Sequence, residues 1–429
     1  MPELSTNTAF PTECLPPHAA YYNTSQPPLA HCHNTTTNSN TSNRYRDPKT
    51  RREAQRSVDA AFWAASEATE IAAWRARDVF ERVPITDGMV IVSAKWVYKK
   101  KTLGDGSLDK YKGRYCARGF SQHYGVDYDE TFAPTLNISS LRVILQLTAT
   151  FKLHLRHFDI HTAYLYADLD ANVFLQPAPD FEDPGYVWRL KKTVYGLKNS
   201  ARCWNQHFHT HLLSIGFTQS QFDPCVYIRG SHSDDTFLAL ATFVDDIAAA
   251  GSNVTLTDTL LAELRTVFAI DDKGDLEWFL SLSVDRTGGG DLLIHQTAYL
   301  HDVLERFGIT DTDTGTAALP LPTNYVYARY NGTASPGDTT KYRQIVGAIR
   351  WLTLTRPDIC FSLNNLARNM SNPGPENTSP PSCTSCATSA RPPTTASTTG
   401  TPAASSSSRP TPTPTSAATT RSTSPPQAT

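Results

Sequence analysis

The sequence predicts an α/β (α+β) fold with a disordered tail at each end. Three observations carry that prediction. Apolar residues recur at helical spacing in several segments, apolar runs suited to strands bracket turn-forming residues between them, and composition changes abruptly near residues 45 and 376. With 429 residues, 39% of them hydrophobic, the chain is long enough for two or three domains and apolar enough for a sizeable core.

Residues 1–45 are rich in Thr, Asn, Pro and His and lack the apolar periodicity that could offset chain entropy, so they are expected to form a disordered tail. The run SVDAAFWAASEATEIAAWRARDVFERV predicts an amphipathic helix with Ser57 as N-cap and Ala61, Ala64, Ala68, Ile71 and Trp74 on one face. Trp63 and Trp74 read as packing residues. The following MVIVSAKWVYKKKTLGDGSLDKYKGRYCARGF predicts a hairpin turning at Gly104 to Gly106. Its arms interleave Lys95, Lys99, Lys100, Lys101, Lys110, Lys112, Arg114 and Arg118 with Trp96, Tyr98, Tyr111 and Tyr115. Two readings of it stand: a device for holding phosphates, or a solvated hairpin with a buried aromatic face.

Ser139 to Leu155 predicts a helix running into a strand, which Phe158 to Ile160 continues. Val187 to Asn205 predicts a strand, a glycine turn and a helix start. Phe237 to Gly251 predicts a hairpin, and Asn253 to Phe268 a helix with Leu256, Leu260, Leu261, Leu264 and Val267 on one face. Trp278 to Val284 and Leu292 to His295 predict a strand pair around Gly288 to Gly290. Gln296 to Phe307 predicts a helix stopped by Gly308. Lys341 to Asn369 predicts one or two helices broken at Arg356–Pro357. Beyond residue 376, Ser, Thr, Pro and Ala dominate, and no packed core can be made of them.

A formal net charge of -2 gives no global attraction to nucleic acid or anionic lipid, so any such site must be local. No apolar run approaches a membrane span, so no membrane partner is expected. The N-terminal residues lack the basic-then-apolar pattern of a secretory signal, which makes an intracellular location, cytoplasmic or nuclear, the expectation. The 8 cysteines are scattered and fit free thiols better than a disulfide framework. His31-Cys32-His33 and the Cys383/Cys386 pair lie in low-complexity sequence, where no fixed geometry supports a metal site.

The chemistry centres on TFVDDIAAAG, residues 242–251. Adjacent aspartates are common in turns, because their side chains bond nearby backbone amides. Here, however, the turn has no glycine and both arms are apolar. Burying Asp245 and Asp246 together is expensive unless a cation pairs with them, and all-oxygen ligands suit Mg²⁺ or Mn²⁺. Asp159, in HFDIHTAY, is the best third carboxylate, with Tyr164 close enough in sequence to line the same pocket. Carboxylates on two strands, a basic hairpin and no apparent nucleophile suggest two-metal phosphoryl transfer. Nothing matches a P-loop, a dinucleotide fingerprint or a serine nucleophile elbow.

Five blocks occur in order: YKGRYCARGFSQHYGVDYDETFAP, FDIHTAYLYADL, KKTVYGLKNSARCWN, FVDDI and KYRQIVGAIRWLTLTRPDI. In this the chain resembles the reverse transcriptase of copia-type retrotransposons, over roughly residues 55–375. The resemblance implies a right-hand polymerase: fingers and palm over about 55–285, then thumb and connection over about 286–375. It implies RNA-directed DNA polymerase activity with two Mg²⁺ or Mn²⁺ ions, dNTPs and an RNA or DNA template-primer. Carried over by residue, Asp159, Asp245 and Asp246 are the implied catalytic and metal-binding carboxylates. Lys112 and Arg114 are implied for the triphosphate, and Ile160 for a backbone amide contact to it. Tyr164 is the implied barrier to a ribose 2′-hydroxyl, and Gly196, Leu197 and Lys198 match a block that positions template and nucleotide.

The sequence departs from the family pattern at Asn199, where Gln is expected, at Phe243, where Tyr is usual, and at Ser281, where Gly is common. After Glu376 the family continues into an RNase H domain, whereas here the Ser/Thr/Pro run begins. The expectation is therefore a truncated copy, separated from its integrase and RNase H partners. The competing expectation is an inactive remnant that at most binds nucleic acid through the Lys95–Arg118 hairpin. A metal nuclease would use similar carboxylates but leaves YGLK unexplained.

Overall fold

The computed structural model describes residues 46–102, 107–287, 290–308 and 330–374. Both predicted tails, the Gly104 to Gly106 turn and the glycines 288 and 289 lie outside the described residues. The centre of the molecule is a six-stranded antiparallel sheet in the order Ile270–Asp275, His154–Ile160, Asp246–Gly251, Leu238–Phe243, Val226–Arg229, Thr218–Gln219. Period-two alternation gives its middle strands two apolar faces. Phe158, Ile160, Leu240, Ile247 and Ala249 face the helices Ser200–Ser214 and Val254–Arg265 through Trp204, Phe208, Leu260 and Leu264. Leu155, Ala241, Ala248 and Ala250 face the helix Ile138–Phe151 through Leu141 and Leu145. The alanines on the Asp246–Gly251 strand leave room for both layers to pack close.

The basic hairpin forms as predicted, pairing Ala94–Thr102 with Leu108–Ala117. Its inner face packs on the helix Ala60–Ala76, where Trp63 meets Tyr98 and Tyr111 edge-on and Trp74 meets Tyr115. The helix comes so near that a Cβ on Gly113 would lie 2.9 Å from Ser66 Oγ. The expected N-cap is corrected: Ser57 terminates a short helix, Arg51–Arg56, and its hydroxyl donates back to the Ala54 carbonyl, while Asp59 precedes the long helix. A four-stranded sheet, ordered Phe80–Pro84, Tyr186–Leu190, Phe174–Leu175, Ile91–Val92, completes this layer.

Trp278–Phe279, Leu282–Arg286 and Leu292–His295 form a three-stranded sheet that packs on the central one through Phe279, Leu282 and Leu292. A boundary at residue 286 would cut this sheet. A separate core begins with the helix Thr297–Phe307, which joins Pro336–Leu352 and Cys360–Ala367 around Leu300, Tyr342, Ile349 and Leu363. Gly308 takes the left-handed conformation expected of a helix stop, and the break at Arg356–Pro357 is present. The cysteines of the described residues, Cys116, Cys203, Cys225 and Cys360, are free thiols. No helix among the described residues is long and apolar enough to cross a membrane.

Candidate active site

The strands Leu238–Phe243 and Asp246–Gly251 pair from Leu238–Gly251 up to Phe243–Asp246, leaving Val244 and Asp245 as a two-residue turn. Such turns need positive φ, normally supplied by glycine. Val244 supplies it instead, at φ 55°, an uncommon conformation for a β-branched residue. Two hydrogen bonds hold the turn in place: Trp204 Nε1 donates to the Val244 carbonyl at 2.7 Å, and the Ile160 N–H donates to the Asp245 carbonyl at 2.8 Å.

Register sets three aspartates level across adjacent strands. Asp159 pairs with Asp246 on one side and with Asp271 on the other. Like charges directly opposed in a sheet repel, and each has a basic side chain beside it. Asp246 Oδ1 lies 3.0 Å from His157 Nε2, Asp159 lies 3.6 Å from Lys273 Nζ, and Asp271 lies 2.6 Å from His161 and 3.0 Å from Lys273. Those two partners hold the Asp271 carboxyl down at about 2. Among the described residues, Asp245 has no such ion pair. Burial first, then the neighbouring Asp246 and Asp159, push its carboxyl up to about 6. Among the described residues, one group of three brings its ligand atoms within 4.8 Å of one another, and it is Asp159, His161 and Asp271. Asp271 escaped sequence reasoning. Its only signal was the acidic run IDDKGD in a strand, and its place beside Asp159 depends on pairing across distant sequence.

The hairpin brings its charges to this apex. Burial, Arg114 and Lys101 lower the Lys112 ammonium to about 8, opposed by Glu70 and Asp159. The Arg114 guanidinium lies 4.7 Å from the Tyr195 ring centroid, and its buried Nε has no hydrogen-bond partner among the described residues. Tyr164 stands on the short helical turn Ala163–Tyr166, where burial first and then Asp245 push its hydroxyl up to about 12. The YGLK block closes on the base of the hairpin. Gly196 has φ 92°, and a Cβ there would lie 2.1 Å from the Ala117 carbonyl oxygen, so both conformation and space demand glycine.

Two of the expected nucleotide-binding groups have partners within the chain. The Ile160 N–H is consumed by the Asp245 carbonyl, so it is not free to receive a phosphate oxygen. Lys198, expected to help position template and nucleotide, meets the neighbouring loop here: its Nζ donates to Tyr128 Oη at 3.0 Å and to the Gln122 carbonyl at 3.2 Å. Asn199, one of the departures, is buried and donates to Asp170 at 2.9 Å.

The site is thus a carboxylate apex on an antiparallel sheet, with a basic hairpin beside it. The model of the reverse transcriptase (RNA-dependent DNA polymerase) family matches residues 77–321, and the chain belongs to that family. It is 33% identical over 317 residues to the retrovirus-related Pol polyprotein from transposon RE2 of Arabidopsis thaliana, covering 72% of this chain and 21% of that protein. It is 31% identical to the Pol polyprotein from transposon TNT 1-94 of Nicotiana tabacum, covering 69% of this chain and 23% of that protein. The chain thus spans about a fifth of the length of these curated relatives. A foamy viral protease-reverse transcriptase in complex with double-stranded DNA matches at a TM-score of 0.36 and 11% identity over 76% of this chain and 47% of that one.

Proposed function

We propose that this domain extends a primer with dNTPs on an RNA or DNA template, as the polymerising part of a retrotransposon Pol polyprotein. The observation that carries the proposal is the in-register opposition of Asp159 and Asp246 beside the strained turn that presents Asp245. The donor set fits divalent cations: the carboxylates are hard oxygen ligands, and Asp245 is held in a charge state that a cation would relieve. Asp159, Asp245 and Asp246 would hold two Mg²⁺ or Mn²⁺ ions, which supply Lewis-acid charge to the triphosphate and lower the pKa of the primer hydroxyl.

The chain's own groups do the rest. Lys112 and Arg114 neutralise the triphosphate and orient it toward the apex. Tyr164 stands against the sugar and disfavours a 2′-hydroxyl by occupying its space. His157 and Lys273, which pair with Asp246 and Asp159 in the free protein, must release them for cations to bind. Primer extension on an RNA template with Mg²⁺ is the test. Extension by the wild type and its loss in Asp245→Asn is the expected result. Salt-sensitive binding of template-primer without extension would instead leave only a nucleic-acid-binding remnant.

A further inference from the structure

Between the hairpin and the short turn that carries Tyr164 lies a residue with no assigned role. We infer that Tyr195 is a positioning residue that sets the triphosphate-binding Arg114 and the sugar-facing Tyr164 in one arrangement. The inference rests on the polymerase reading above and adds the means by which nucleotide affinity and sugar selection are coupled.

The contacts are specific on both sides of the ring. The face of Tyr195 carries the Arg114 guanidinium at 4.7 Å from the ring centroid. Tyr164 packs against the same ring at 5.1 Å between centroids and an interplanar angle of 75°, the edge-to-face arrangement aromatic pairs prefer. The backbone around Tyr195 is fixed to both partners. Its carbonyl accepts the Ala117 N–H at 2.8 Å, three residues along the strand from Arg114, and the Gly196 carbonyl accepts the Gly119 N–H at 3.0 Å. Two residues before Tyr195, the Thr193 hydroxyl donates to the Tyr164 carbonyl. The backbone that carries the ring is therefore tied to both the hairpin and the turn.

Electrostatics explains why such a holder is needed. The Arg114 charge acts on two carboxyl groups inside the protein, Asp245 and Glu70. A guanidinium free to swing toward either would be withdrawn from a phosphate. Cation–π attraction keeps it over the ring while leaving N–H groups for the ligand, and Nε is a buried donor with no partner of its own among the described residues. The attraction comes from the ring and not from the hydroxyl, so phenylalanine should substitute where an aliphatic residue cannot.

The test uses the full chain as wild type, Tyr195→Leu, Tyr195→Phe, Arg114→Ala and the Tyr195→Leu/Arg114→Ala double variant. Affinity for a dNTP with Mg²⁺ is measured by calorimetry on a chain-terminated template-primer. KM, kcat and the preference for dNTP over rNTP are measured by extension. Tyr195→Leu is expected to weaken nucleotide affinity about five-fold, raise KM more than it lowers kcat, and reduce sugar discrimination. Tyr195→Phe should stay near wild type, and Tyr195→Leu should cost no further affinity in the Arg114→Ala background. Wild-type values for Tyr195→Leu, equal damage from Phe and Leu, or additive losses in the double variant would each overturn the inference while leaving the polymerase reading intact. A wild type that binds nucleotide without extending would sink the polymerase reading, with calorimetry still deciding the role of Tyr195. A wild type that does neither overturns both.

Discussion

At the scale of single residues, charge and burial conflict at Asp245. Its carboxyl titrates at about 6 in the folded chain, above the value of about 4 it would have unfolded. Between those values the folded state binds more protons than the unfolded one, so stability is greatest at the acid side and is lost as pH rises through 6. Asp245→Asn should therefore melt above the wild type at pH 8 without divalent cations, by about 1 kcal/mol or roughly 2–4 °C. The gap should close near pH 4, and millimolar Mg²⁺ should narrow it by raising only the wild type. Identical melting curves at pH 8 would show that Asp245 is solvated rather than frustrated. Lys112 gives the opposite dependence in function. Held at about 8, it loses its charge as pH climbs from 7 to 9, so KM for dNTP should rise several-fold over that range. Lys112→Arg should flatten the profile, because a guanidinium stays charged throughout; a wild-type KM independent of pH would exclude Lys112 from the triphosphate.

At the scale of elements, positive φ values mark where sequence and backbone disagree. Leu280 and Ser281 both have positive φ, 50° and 65°, in the turn that joins Trp278–Phe279 to Leu282–Arg286. That is the geometry glycine relieves, which accounts for the expected glycine at position 281. Ser281→Gly should stabilise the protein by about 0.5–1 kcal/mol in chemical denaturation, the left-handed penalty less the added freedom of the unfolded chain. No change in midpoint would mean that the buried serine makes up the strain by packing. Elements with local signals were legible beforehand: Asn253 caps its helix by accepting the Leu256 N–H, and Gly308 ends another. The paired aspartates and Asp159 were legible because their apolar flanks made charge conspicuous. What sequence could not reveal were consequences of pairing between distant segments. These are the level placement of Asp271 beside Asp159, the capture of the Ile160 amide by Asp245, and the engagement of Lys198 by Tyr128.

At the scale of the whole molecule, the described residues contain separate apolar cores. The Ala248 to Ala250 segment lies in the middle of the six-stranded sheet with apolar layers on both faces, so its amides should exchange only by global opening. The helices Thr297–Phe307, Pro336–Leu352 and Cys360–Ala367 share a core of their own around Ile349, which is fully buried. One link to the sheet is apolar: Leu354, just beyond the helix Pro336–Leu352, packs against the core that holds Leu155, Ala248 and Ala250. Ile349→Ala should cost about 2–4 kcal/mol locally, as deletion of a buried aliphatic side chain does. If the helical core opens by itself, amide exchange from Ile345 to Leu352 should accelerate by more than ten-fold in this variant, while Ala248 to Ala250 keep their protection. Equal acceleration in both segments would show that sheet and helices unfold as one. The distinction matters for polymerisation, because a helical unit that opens independently can shift relative to the carboxylate apex without loosening the register that holds Asp159 against Asp246.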